Sequence, residues 1–145
     1  MKVWRVSPAR TLADACRSEH AGRWNWASRP MLYGSSTPEL AALEALAHLA
    51  ENPVPHWLSV VHLPRVDSAT PVRGLTADWR KDKAQTREIG NRWFDRCGSA
   101  ALLVPSALCP EASNVLVNPH HRLAAGMRLQ VLRRFDFDRR LARGS

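Results

Sequence analysis

The run MLYGSSTPELAALEALAHLA, residues 31–50, holds the pattern that decides the fold class: a short strand followed at once by a helix. Met31, Leu32 and Tyr33 favour the strand. Ser36 and Glu39 have the spacing of a capping box, which predicts that the helix begins there. The helix is predicted to end before the prolines at positions 53 and 55. Its buried stripe is predicted to consist of Leu40, Leu43, Leu46, Ala47 and Ala50.

Apolar and β-branched runs on either side predict further strands over residues 3–6, 57–63, 100–104, 114–117 and 128–135. Two more helices are predicted, a short one capped by Ser7 and ending at Cys16, and one over residues 86–97 that stops at Gly98. Residues 22–30 are predicted to form a loop. Because most strands fall in the second half, we expect an α+β fold with a bent or split mixed sheet flanked by helices.

Length and composition predict one compact domain over residues 1–143, with residues 144–145 as a remnant or tail. No apolar run approaches the roughly 20 residues of a membrane helix, and the opening MKVW lacks the apolar stretch of a signal peptide. We therefore expect a cytoplasmic protein without membrane contact. The three cysteines have no paired spacing, so neither a disulfide framework nor a metal site is expected.

The net charge of +8 predicts an anionic partner or substrate: nucleic acid, a dinucleotide or an acidic protein. Lysine and arginine are absent from residues 30–64 and crowd the end of the chain. That basic end is either a solvated tail or a surface that docks a partner.

The residue types that suit chemistry lie in and before the first long helix. Glu44 is a carboxylate in the middle of that helix, predicted at the edge of its apolar stripe, where it would be partly desolvated. It is either a site carboxylate or a boundary glutamate that reaches for water. The segment GRWNW, residues 22–26, places Arg23 beside two indoles, which suits a dinucleotide because indoles stack on rings and a guanidinium binds phosphate. Alternatively, Trp24 and Trp26 anchor the core, and Tyr33, the only tyrosine, packs a strand.

Several motifs occur together in a fixed order and cover nearly the whole chain. They are GRWN (22–25), LYGSS (32–36), LEAL (43–46), the set Gln85-x4-Gly90-x2-Trp93, LLVPSA (102–107), NVLVNPHH (114–121) and FDFDRRL (135–141). In this order they resemble the RES-domain toxins. The resemblance implies a fold like that of the bacterial ADP-ribosyltransferases. It also implies an enzyme that destroys NAD by hydrolysis or phosphorolysis as the toxin of a type II toxin–antitoxin system, with protein ADP-ribosylation as a variant.

The same resemblance assigns catalytic roles to Arg23, Tyr33 and Glu44. Arg23 would bind the pyrophosphate, Tyr33 would stack on nicotinamide, and Glu44 would hold the ribose hydroxyls and stabilise positive charge on the ribose. NAD is then a substrate rather than a cofactor, inorganic phosphate is the co-substrate in the case of phosphorolysis, and no metal is implied. Further substrate contacts are expected from Trp24, Ser35, Ser106 and Asn118, the last of which is alternatively supporting structure.

Two positions depart from the family pattern. Ala21 replaces a glycine that is common before GRW, and Ser28 stands where the family loop usually turns on glycine. We expect Ser28 to strain a turn that requires positive φ, which would affect the geometry of the Arg23 loop rather than its chemistry.

The partner implied by the resemblance is an antitoxin with an Xre-type helix-turn-helix region, which blocks the NAD site in a hetero-oligomer. Nucleic acid would then be contacted only through the antitoxin. The competing class is a nucleic-acid-binding module or ribonuclease toxin, suggested by the charge, six tryptophans and six histidines. The histidines, however, show no paired acid–base or metal spacing, and no GxSxG nucleophile motif is present.

Overall fold

The computed structural model describes residues 1–17, 21–50 and 53–141. The predicted domain end at residue 143 and the predicted remnant or tail at residues 144–145 lie outside these ranges. Within them, the strands are β1 (Lys2–Ser7), β2 (Leu32–Ser35), β3 (His56–His62), β4 (Thr70–Pro71), β5 (Ala101–Pro105), β6 (Ser113–Val117) and β7 (Arg128–Phe135). The helices are α1 (Leu12–Ala15), α2 (Pro38–Ala47) and α3 (Lys83–Arg96), with short 3-10 helices at Trp79–Lys81 and Arg122–Ala124.

The described strands form one seven-stranded sheet in the order β4-β5-β6-β2-β1-β3-β7. The β4–β5 pair is parallel and the other neighbours are antiparallel, so the predicted α+β fold with a mixed sheet is confirmed. The junction between β1 and β2 is narrow, since Trp4 opposite Ser35 is the one paired position there, whereas β1 and β3 pair over six positions. The sheet nevertheless continues through this junction, so the described strands are not split into two sheets.

Both faces of the sheet are covered by apolar packing. On β6, Val115 and Val117 belong to one buried cluster, while Leu116 between them belongs to another on the opposite face. The second cluster includes Trp24 from the loop before β2 and Phe94 from α3. The central strands are therefore buried on both faces. Polar side chains on these strands are held in place by the surrounding packing.

The buried side of α2 differs from the predicted leucine stripe. Leu40, Ala41 and Ala45 are buried, whereas Leu43 is 41% exposed and Ala47 and Ala50 are also exposed. The reason is close packing: Ala41 and Ala45 share a cluster with Val6 of β1, and small side chains let the helix approach the strand. Glu44 follows Leu40 and Ala41 by four and three residues, so it lies on the side of α2 that faces the sheet.

Three helix ends are also corrected. Thr37, not Ser36, caps α2, because its hydroxyl accepts the N–H of Leu40. Thr11, not Ser7, caps α1, and Cys97, not Gly98, takes the left-handed conformation after α3 with φ 52°. At α2 and α3 the adjacent residue replaces the predicted one, whereas α1 begins four residues later than predicted. Within the described ranges, no helix is long and apolar enough to cross a membrane.

Candidate active site

A cavity of about 560 Å³ opens beside the narrow β1–β2 junction, between α2, the loop before β2 and the first turns of α3. Five of the seven predicted site residues line it: Arg23, Trp24, Tyr33, Ser35 and Glu44. In the described part of the chain, its charged lining consists of one carboxylate, from Glu44, and four cations, from Arg5, Arg23, Lys83 and Arg87. This excess of positive charge favours an anionic ligand.

Glu44 is held through one of its two carboxylate oxygens. Ser106 Oγ and Asn114 Nδ2 each donate a hydrogen bond of 2.7 Å to Oε1. Among the described residues, Oε2 has no hydrogen-bond partner and the carboxylate makes no ion pair. The boundary-glutamate alternative, a side chain that simply reaches for water, does not describe this arrangement. One oxygen is anchored, and the other is available to a ligand.

Ser106 lies behind Glu44 and does not line the cavity. It is fully buried, and its Oγ accepts the backbone N–H groups of Leu108 (3.1 Å) and Cys109 (3.2 Å) while donating to Glu44. The hydroxyl is thus completely used by the protein. The geometry supports a role in fixing Glu44 in preference to the predicted direct contact with substrate.

Asn118 also lies outside the cavity lining. Its Nδ2 donates to the carbonyl oxygen of Phe94 at 3.1 Å, and its Oδ1 accepts the N–H of His120 at 2.9 Å. These bonds satisfy a carbonyl near the end of α3 and fix the turn after β6. The arrangement agrees with the supporting-structure reading of Asn118.

Tyr33 ties the Arg23 loop to β2 through its hydroxyl. The hydroxyl accepts the N–H of Trp24 at 3.0 Å and donates to Asn25 Oδ1, which in turn accepts the N–H of Gly22 at 3.2 Å. Burial raises the pKa of Tyr33 to about 12, and the Trp24 N–H and the charges of Arg87 and Arg23 offset only part of that rise. The phenol is therefore neutral at physiological pH, and its ring is the part left for a ligand.

The Arg23 loop is fixed from its other side by α3. Arg87 Nε donates to the carbonyl oxygen of Gly22 at 2.7 Å, and the Thr86 hydroxyl donates to that of Arg23. A Cβ on Gly90 would lie 1.8 Å from the carbonyl oxygen of Trp24, so the helix and the loop touch only because that position is glycine. The Arg23 guanidinium itself is partly exposed and bonds the carbonyl oxygen of Arg80 at 3.1 Å.

The predicted strain at Ser28 is present. Ser28 has φ 80°, in the region that favours glycine. It lies in the same loop as Arg23, three residues after Asn25, and it does not line the cavity. The departure from glycine therefore concerns the backbone geometry of the loop.

Three residues that the sequence interpretation did not single out contribute to the site. Asn114 bonds Glu44 directly, Arg87 holds the loop, and Arg5 donates to the carbonyl oxygen of Tyr33 across the narrow β1–β2 junction. Burial lowers the pKa of Arg5 to about 10, so it remains a cation near neutral pH. A signal for Asn114 existed, since it opens the NVLV motif, but its role depends on β2 pairing with β6, where it lies opposite Ser35.

Within the described ranges, no group of three or more His, Cys, Asp and Glu side chains is arranged to hold a metal ion. The described lining offers a ligand four cations, aromatic side chains and one anchored carboxylate. It suits an elongated anion that also carries hydroxyl donors and an aromatic ring.

Comparison with known proteins gives the family. The RES domain family matches residues 2–140, nearly the full length of the chain. The chain is a member of the RES-domain family. This RES-domain protein is 35% identical over 135 residues to "Toxin Res" of Pseudomonas putida strain KT2440, covering 90% of the chain and 93% of that toxin. It is also 32% identical over 155 aligned positions to "Prs ADP-ribosylating toxin" of Sphingobium sp. strain YBL2, covering 97% and 96%.

The fold of this RES-domain protein is also similar to a solved structure. A chain in the crystal structure of the M. tuberculosis MbcT–MbcA toxin–antitoxin complex superposes with a TM-score of 0.69 at 17% identity, covering 97% of this chain and 86% of that one. At this identity the likeness concerns the fold alone. The predicted single-domain α+β architecture is thereby confirmed a second time.

Proposed function

We propose that this chain is the toxin of a bacterial toxin–antitoxin pair and that it breaks the nicotinamide–ribose bond of NAD in the cavity around Glu44. One observation carries the proposal: four cationic side chains share the described lining with a single carboxylate that has one unbonded oxygen. The pyrophosphate of NAD is anionic and its ribose carries hydroxyl donors. Both kinds of group therefore have a complement in the same cavity.

Cleavage of this bond does not require a general acid. The electron pair of the carbon–nitrogen bond leaves with nicotinamide, whose ring becomes neutral, while positive charge develops on the ribose. Glu44 would accept a ribose hydroxyl at Oε2 and stabilise that charge by its own negative charge. The incoming group, from water, phosphate or a protein side chain, then bonds to the ribosyl carbon and releases its proton to solvent if it carries one.

The remaining lining groups would bind and orient the substrate. Arg23, with Lys83 and Arg87 beside it, supplies positive charge for the pyrophosphate. Because the hydroxyl of Tyr33 already has a donor and an acceptor, its ring is proposed as the surface on which nicotinamide stacks. Trp24 is buried and supports that wall together with Trp79, whose ring centroid lies 6.2 Å away.

A second candidate is transfer of ADP-ribose to a protein. It is favoured by the Sphingobium relative, which is named as an ADP-ribosylating toxin and matches this chain over nearly its whole length. The two candidates share the bond-breaking step and differ only in the acceptor. Water, phosphate and a protein nucleophile are all compatible with the described lining groups.

The proposed partner is an antitoxin of the Xre helix-turn-helix type that covers the cavity in a hetero-oligomer. Relatives named as toxins and a fold neighbour taken from a toxin–antitoxin complex support such a partner. The net charge of +8 suits an acidic docking surface. We further propose that the pair acts in the cytoplasm, where NAD is available, and that this chain contacts nucleic acid only through the antitoxin.

The experiment incubates the purified chain with NAD and quantifies nicotinamide. Glu44→Ala and Arg23→Ala are compared with wild type, and losses on the order of 10²-fold are expected where preorganised charge is removed. Glu39→Ala, an exposed glutamate in the first turn of the same helix, is the matched control for the carboxylate. Arg92→Ala, exposed on α3, is the control for the guanidinium.

The acceptor is identified in the same reactions. Free ADP-ribose as the product indicates hydrolysis, a phosphate-dependent phosphorylated product indicates phosphorolysis, and label retained on protein in a lysate indicates ADP-ribosylation. Salt-dependent RNA binding without nicotinamide release would instead support the competing nucleic-acid class. Unchanged turnover in both site variants would contradict the assignment of this cavity.

A further inference from the structure

The two donors that hold Glu44 converge on the same oxygen and come from rigid parts of the fold. Asn114 lies on β6, which is paired on one side with β2 and on the other with β5. Ser106 directly follows β5, and its backbone N–H is bonded to the carbonyl oxygen of Ala112 at 3.0 Å. Both donors are therefore carried by the central sheet rather than by a free loop.

The orientation of the Asn114 amide is set by a third residue. Ser35 lies directly opposite Asn114 on β2, and its Oγ donates to Asn114 Oδ1 at 2.7 Å. With Oδ1 turned toward Ser35, the amide NH₂ is turned toward Glu44, where it donates at 2.7 Å. The reverse orientation would bring the amide oxygen against a carboxylate oxygen, so the hydrogen-bond network selects one rotamer.

We infer that Asn114, oriented by Ser35, is a positioning residue that anchors Glu44 through Oε1 and thereby presents Oε2 to the ligand. This inference rests on the proposed function of the same cavity. A glutamate on a helix has several rotatable bonds, and an unanchored carboxylate would have to be reoriented during the reaction. Anchoring one oxygen from the sheet removes that reorientation while leaving the other oxygen its full capacity to accept a ribose hydroxyl.

If the role were merely structural, substitutions of these residues would change only the stability of the protein. In that case the Ser35–Asn114–Glu44 chain would hold α2 on the sheet, and its disruption would lower the melting temperature without a specific effect on turnover. The positioning role predicts a fall in kcat at nearly constant KM, because the cations that bind the pyrophosphate are untouched. It also predicts a changed pH profile when the donor becomes an acid.

Asn114→Asp is the first test, because it keeps the shape of the side chain and removes the NH₂ donor. Near neutral pH, kcat is expected to fall about 10²-fold with KM within about threefold of wild type. Two carboxylates in contact share a proton, so the acidic limb of the kcat profile should move to higher pH. Asn91→Asp is the matched control: Asn91 is buried, lies outside the cavity lining, and keeps its oxygen for the N–H of Trp26.

Ser35→Ala is the second variant, and it leaves the Asn114 donor in place while freeing its orientation. We expect about a tenfold loss in kcat for Ser35→Ala. Ser35→Thr should keep a kcat near that of wild type because it retains the hydroxyl. A folded Asn114→Asp protein with wild-type kcat and pH profile would overturn the inference. So would a rise in KM at constant kcat, or an equal loss of kcat in the Asn91→Asp control.

A measurement that does not depend on activity separates this inference from the proposed function. The side-chain amide signal of Asn114 in an NMR spectrum should move in both Ser35→Ala and Glu44→Gln. If wild type releases no nicotinamide, the proposed function fails. The amide signal then still tests whether Asn114 is bonded to Ser35 and Glu44. A signal that is insensitive to both substitutions would overturn the anchor itself.

Discussion

Replacing Tyr33 by phenylalanine should release the Arg23 loop from the sheet while leaving the aromatic ring in the cavity wall. The lost hydroxyl is the hydrogen-bond acceptor of the Trp24 N–H and a donor to Asn25. Trp24 and Asn25 are both buried, so solvent does not readily replace the missing partner. Asn25 still accepts the N–H of Gly22. The main cost is therefore that the buried N–H of Trp24 has no acceptor.

A buried unpaired group of this kind costs about 2 kcal/mol. For a domain of this size, the melting temperature of Tyr33→Phe should fall by about 4–8 °C. If the loop opens locally, the Trp24 amide should exchange its hydrogen about 30-fold faster, since each tenfold corresponds to about 1.4 kcal/mol. The KM for NAD should rise because Arg23 is no longer held in place, while the nicotinamide-stacking ring is retained.

The matched control is Ser99→Ala. It removes the acceptor of the Trp93 indole N–H, a bond of 2.9 Å made outside the cavity lining, and should reduce stability without changing KM. A wild-type exchange rate at Trp24 in Tyr33→Phe, or an equal rise of KM in the control, would show that the Tyr33 hydroxyl does not hold the loop.

Three further predictions concern the cavity and its supports. Tyr33 is the only tyrosine, so a spectrophotometric titration should find the midpoint of the phenol near 12 in the native protein and near 10 after denaturation. Because the pKa is raised in the folded state, the stability contributed by the neutral phenol is complete below pH 10 and is lost as pH rises toward 12. Tyr33→Phe should not show this loss. Gly90→Ala should force α3 from the Trp24 carbonyl, lowering stability by about 1–3 kcal/mol and reducing NAD turnover, whereas Gly98→Ala, with open space around it, should do neither. The KM for NAD should rise with ionic strength, because salt screens the cations of the lining; a KM independent of salt would argue against their role.

Local sequence patterns predicted the type of the longer strands and helices, and they failed where two neighbouring residues offered similar chemistry. The strand–helix transition at residues 31–50 was predicted correctly, but Ser36 and Thr37 are both good caps and the structure uses Thr37. Of the stripe predicted for α2, Leu40 is buried but Leu43, Ala47 and Ala50 are exposed, because periodicity cannot say which apolar side chains are small enough for close packing on β1. The two-residue strand β4 was not predicted, since so short a segment has no measurable period.

The candidate site was predicted through its resemblance and refined by contacts between distant segments. Arg23, Tyr33 and Glu44 do line one cavity, although their substrate roles stay predictions. Asn114 was missed because its bond to Glu44 joins residues 70 positions apart and depends on strand register. The strain at Ser28 was predicted, because a loop position that usually holds glycine indicates a backbone with positive φ.

The proposed role of Glu44 can be examined by measuring NAD binding and nicotinamide release in wild type and Glu44→Gln side by side. The glutamine keeps the size of the side chain and removes the charge that would stabilise the ribose cation. Wild type should release nicotinamide, whereas the variant should bind NAD with similar affinity but release nicotinamide on the order of 10²-fold more slowly. No release by wild type, or an equal rate in Glu44→Gln, would rule out this role of Glu44.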